Sequence, residues 1–101
     1  MWERQTIELG DILEKSIHEV SFRHLQALEI VKMTATCGCT KPVYNAGTQT
    51  IDVTYKAGKV PKHLRYKGSF SIKKVVKVFT PVGRQDLEIR ATIKMPHVYG
   101  R

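Results

Sequence analysis

Long apolar runs are missing from this chain, most clearly at its start, where Glu3, Arg4, Glu8, Asp11, Glu14, Lys15 and Glu19 interrupt the first twenty residues. A signal peptide or a membrane span needs an unbroken apolar stretch. The expectation is a soluble protein with no membrane partner that stays where it is made. Cysteine is scarce too: the two present, Cys37 and Cys39, stand one residue apart and cannot staple distant parts of a fold in the manner of small secreted domains. That usage fits a reducing, cytoplasmic origin. His18, His24, His63 and His97 are scattered, so nothing completes the four ligands of a closed zinc site. No motif sets a Ser, Cys or carboxylate nucleophile beside its base. The chain is therefore expected not to be an enzyme, with no catalytic residue, no cofactor and no metal. Repeats, low-complexity tracts and linkers are also absent, and 101 residues with 42% hydrophobic content suffice for one core. Residues 1–101 are expected to form a single domain.

Acids are missing from a third of the chain. Between Asp52 and Asp86 there is none, while Lys56, Lys59, Lys62, Arg65, Lys67, Lys73, Lys74, Lys77 and Arg84 fall there. Residues 1–50 hold five Lys/Arg against six acids, a balance of −1, so the net charge of +8 leaves +9 to residues 51–101. Such a span presents a positive field to an acidic partner.

What is present is period-two alternation. In residues 87–95 every odd position is apolar and every even one polar, the mark of a half-buried antiparallel strand. Residues 51–55 repeat the pattern, and residues 68–78 continue it as a long basic strand. Residues 6–9, 17–23 and 28–36 are three further strand candidates. A helix over residues 12–20 is the best helical alternative, but it is short and Ser16 interrupts it, so strand and turn are expected there. Turn signals at Gly10, Gly38, Gly47, Gly58, Gly68, Pro81 and Gly83 punctuate the strands, which points to an all-β sandwich or barrel. Residues 56–67, with Gly58 and Pro61, are expected to be a long loop or an irregular edge.

The run from Leu28 to Pro42, with Cys37-Gly38-Cys39-Thr40 near its end, resembles the hallmark of a bacterial and phage domain family of unknown function related to the immunoglobulin-like domains of major sperm protein type. Residues 51–55, 68–74 and 87–93 resemble that family's later strands, so the likeness runs from about Ile7 to Ile93. One departure stands before the Leu28 strand, where Arg23-His24-Leu25-Gln26-Ala27 replaces the family's Asn-x-Gly turn. The resemblance implies an immunoglobulin-like antiparallel β-sandwich of about seven strands. A small free-standing member without an export signal further implies a phage gene product.

Three readings remain for Cys37, Gly38, Cys39 and Thr40. The leading one is a structural turn, in which Gly38 permits a tight backbone and one thiol packs in the core. The others are half of a metal site and a labile disulfide. For the basic span the leading reading is a docking surface, with Lys56, Lys59, Lys62, Arg65 and Lys67 meeting acidic protein or phosphate and Tyr55 and Tyr66 as flat apolar anchors. The terminal aromatics Trp2 and Tyr99 are expected to serve as further interface anchors. Together these imply a non-enzymatic structural protein of a virion: a decoration, cement or connector protein of a phage head, neck or tail, made in the host cytoplasm. Its partners would be other virion proteins with an acidic surface in a multi-copy assembly, with terminal segments and an open sheet edge adding backbone hydrogen bonds. The second reading is a cytoplasmic module held to nucleic acid without sequence specificity through its basic span.

Overall fold

The computed structural model describes residues 2–26, 29–35 and 38–95. Its regular structure is β1 (Thr6–Leu13), β2 (Ile17–Arg23), β3 (Lys32–Ala35), β4 (Thr40–Asn45), β5 (Thr50–Lys56), a 3₁₀ helix over Lys62–Lys67, β6 (Ser69–Thr80) and β7 (Gly83–Lys94). The strands make two sheets, ordered β1-β7-β6-β3 and β2-β5-β4. Neighbours are antiparallel except β1 and β7, which run parallel. The expected all-β, immunoglobulin-like sandwich of about seven strands is what forms, with that parallel pair as its departure.

Alternation explains the packing. Leu87, Ile89, Ala91 and Ile93 of β7 and Val76 and Val78 of β6 face Phe22 of β2 and Ile51, Val53 and Tyr55 of β5, all but fully buried. Ile7 and Ile12 both reach this core although five residues apart, a spacing that would send them to opposite faces of a regular strand. A bulge resolves the conflict: Ile7 pairs with Ile89 and Ile12 with Ile93, so β1 spends five steps where β7 spends four. Gly10, at φ +73, sits inside that irregularity rather than ending the strand. Burial also raises the Tyr55 phenol above its ordinary value of 10.0.

Three expectations need correction. β4 was not foreseen, because Pro42 interrupts its pattern; an edge strand tolerates proline where the missing N–H would face solvent. The strand expected over residues 28–36 is shorter, being Lys32–Ala35, with residues 28 and 36 outside the described ones. Trp2 is not an exposed anchor. It is 7% exposed, bridges His24 beyond the end of β2, and packs edge-on to the His24 ring at 4.8 Å and 86°. Its indole Nε1 donates to Gln85 Oε1, so the start of the chain is tied to both sheets. A large apolar ring placed over the end of a sandwich gains more by burial there than it would in solvent.

Candidate docking surface at the basic pole

One end of the sandwich gathers the turn between β1 and β2, the start of β4, the end of β5, the loop 57–61 and the 3₁₀ helix. Backbone bonds join them: Lys15 N donates to Ala57 O at 3.0 Å, Ala57 N to Ser16 O at 2.8 Å, and Lys56 N to Cys39 O at 2.8 Å. Ala57 and Val60 drop into the core beside Tyr55 and Ile93, which is why this stretch is fixed instead of a free loop. Gly68, at φ +76, caps the 3₁₀ helix with its N–H on Arg65 O.

A carboxylate organises the end. Glu14 accepts from the Val60 N–H at 3.0 Å and from Arg65 Nη1 at 3.3 Å, and Arg65 also donates to Val60 O at 3.1 Å. The Val60 N–H holds the Glu14 carboxyl below its ordinary value of 4.5; burial opposes this, and the Arg65 guanidinium reinforces it. Arg65 is thus a brace within the fold, not the free contact residue expected of it. Asp11 is likewise occupied, by Lys94 at 3.0 Å.

With those two acids neutralised, Lys15, Lys41, Lys56, Lys59, Lys62 and Lys67 stand exposed at this end and make no ion pair among the described residues. Tyr66 is 81% exposed, with Lys67 Nζ 6.0 Å from its ring centre. Glu14, Lys15, Lys59, Val60, Pro61, Lys62 and Arg65 line an open recess of about 500 Å³. The expected set Lys56, Lys59, Lys62, Tyr66 and Lys67 is therefore brought together. Lys15 and Lys41 join it through topology alone, from parts of the sequence that are not basic. Trp2 and Tyr55, both expected as anchors, lie in the core, and Tyr99 lies outside the described residues.

The rest of the acid-free span is dispersed. Lys77 faces Asp86 across the β6–β7 ladder and Lys73 faces Arg90, itself paired with Glu88; Arg84 pairs with Asp86 at 3.1 Å. Asp86 and Glu88 return to this face as partners of Arg84 and Arg90, while Lys73, Lys74 and Lys77 make no ion pair among the described residues. The positive surface is thus a pole that continues along β6.

Cys39 is disulfide-bonded. Its sulfur is therefore not the free thiol that the leading reading placed in the core, although the residue does pack against the cluster around Tyr55. Cys37 lies outside the described residues. Among the described residues, no group of three or more His, Cys, Asp or Glu is placed to hold a metal ion, and no helix is long and apolar enough to cross a membrane.

No family model matches the sequence, and no curated protein matches it. Among solved structures the chain is similar to the titin M3 domain, with a TM-score of 0.54 over 93% of this chain and 95% of that one, at 9% identity. The fold is immunoglobulin-like. Identity this low speaks to fold alone, since such sandwiches carry many roles. A sialyltransferase from Photobacterium damsela is also similar, at 17% identity and a TM-score of 0.45; this chain spans 18% of its length.

Proposed function

We propose that this immunoglobulin-like module is a non-enzymatic adhesion protein that docks through its basic pole onto an acidic protein surface, as a structural component of a phage particle. The observation that carries the docking reading is the convergence of six exposed lysines that make no ion pair among the described residues, beside the exposed ring of Tyr66. The placement in a virion is supported by the likeness of the Cys37-Gly38-Cys39-Thr40 run to a bacterial and phage domain family.

Magnitudes fix the mechanism. An exposed ion pair contributes about 0.2–1 kcal/mol, so the lysines speed and orient encounter more than they hold the complex. Burial of Tyr66 adds apolar area, and many copies on a repeated lattice let modest contacts reinforce one another. The decoration, cement or connector role asks for such avidity rather than one tight site.

Charge reversal tests this. In co-sedimentation with purified particles, the wild-type protein is expected to be retained stoichiometrically and released by salt. The variant with Lys56, Lys59, Lys62 and Lys67 changed to Glu is expected to bind about 30-fold more weakly, taking roughly 0.5 kcal/mol for each position. Retention that disappears on nuclease treatment, or a variant that binds like wild type, would refute the proposal.

A further inference from the structure

On the outer face of the three-stranded sheet, next to the basic pole, Ile17, Gly38, Cys39, Lys41, Thr54 and Lys56 line a second recess of about 240 Å³. Its chemistry differs from that of the charged recess around Glu14. Ile17 is 64% exposed on the strand facing Lys56, and Lys41 stands across the ladder from Thr54. The disulfide-bonded Cys39 lines it as well. Lysine stems cover apolar surface while their ammonium groups stay in water. The walls are thus largely aliphatic, and the rim carries two cations.

We infer that this recess seats one aliphatic side chain of an acidic polypeptide segment, whose neighbouring carboxylates meet Lys41 and Lys56. The inference rests on the docking reading above and gives its partner a chemistry. Three observations select this occupant. The volume is below the roughly 300–1,000 Å³ of small-molecule sites, which suits one side chain. No ring lines the recess, so a nucleotide base would find no plane on which to stack; Tyr66 belongs to the 3₁₀ helix. Charge complementarity favours an acidic segment over a second copy of this chain, whose net charge is +8. Of the acids on the same sheet face, Glu19 stands across the ladder from Thr54 at the edge of the recess and Asp52 lies four positions from Lys56, so the two lysines outnumber the one carboxylate beside them.

Nuclear magnetic resonance titration with two synthetic peptides tests it, acetyl-Asp-Glu-Leu-Asp-Glu-amide and the same peptide with Ser for Leu. The Leu peptide is expected to shift the Ile17 methyl signals and the Cys39 and Thr54 amides, and to bind about tenfold more tightly than the Ser peptide. Ile17→Asp, at an exposed position, should abolish that difference without unfolding the protein. Equal affinity for the two peptides, with shifts only near Lys59 and Lys62, would overturn the recess and leave the docking reading standing. If neither peptide binds, both fail. Tighter binding of an oligothymidylate than of either peptide overturns the proposal in favour of nucleic acid.

Discussion

Replacing Trp2 with Ala removes the largest ring in the chain from a site where it is 7% exposed, among Ile7, Phe22, Leu87 and Ile89. Two further contacts go with it: the edge-on pairing with His24 at 4.8 Å and the hydrogen bond to Gln85. Large-to-small changes of this kind cost about 3–5 kcal/mol, the aromatic pair included. A domain of this size has about 5–15 kcal/mol in all, so the loss is a large share of it. At about 4–8 °C per kcal/mol, the unfolding midpoint should fall by roughly 12–40 °C. Trp2 is the sole tryptophan, so the variant has none and must be followed by far-ultraviolet circular dichroism during urea or thermal unfolding. The wild type offers its own check, since a buried indole emits to the blue of the same chain unfolded in urea. Trp2→Phe keeps most of the apolar area and loses the N–H donor, and should cost only about 1–2 kcal/mol. A loss under about 1 kcal/mol for Trp2→Ala, or identical emission from folded and unfolded protein, would refute the assignment of Trp2 to the core.

Acid should act through Glu14. Its folded carboxyl lies below the unfolded value of 4.5, so its stabilisation is complete above that pH and is lost as pH falls through the folded value; urea midpoints above and below it should show a smaller pH dependence for Glu14→Gln. Thiol titration in denaturant without reductant should count no free thiol at Cys39, and a full count of reactive thiols would refute the disulfide. Pro42→Val should restore an outward N–H on the free edge of β4 and raise self-association in sedimentation velocity, with little change in the unfolding midpoint.

The strands that announced themselves in the sequence are those whose side chains alternate without interruption. In β5, β6 and β7 one face meets the core and the other meets water, so the spatial period is written directly into residue type. β4 carries the same alternation in its burial, but Pro42 fills an inward position with a residue that sequence reading takes for a break. Gly10 misled for the opposite reason: it permits a bulge that keeps a strand going. Trp2 was illegible because a lone residue near the start has no periodic neighbours to say which way it points. The basic site was half legible. Lysines 56 to 67 are local in sequence, but the Lys15 and Lys41 that complete the pole arrive only through strand order.

Strand order also decides how such a module can hold a partner. Backbone addition at a sheet edge needs a row of free N–H and C=O groups. In β4 the bonds to β5 fall at odd positions, as Cys39 O accepting from Lys56 N shows, so the even positions face outward and one of them is Pro42. β1 is bent by its bulge, β3 is four residues long, and the Arg23 carbonyl at the end of β2 is already taken by the Glu3 N–H. Each edge of the two sheets is thus shortened, bent, interrupted or covered at one end, which limits the template for an added strand. On the docking reading proposed above, attachment runs through side chains: the lysines of the pole, Tyr66, and the recess beside Ile17. Contacts of that kind are individually weak and weaken further with salt, because exposed charges are screened beyond about 8 Å at physiological ionic strength. A single copy would therefore exchange readily, and durable attachment would arise only where a repeated acidic surface lets many copies bind at once.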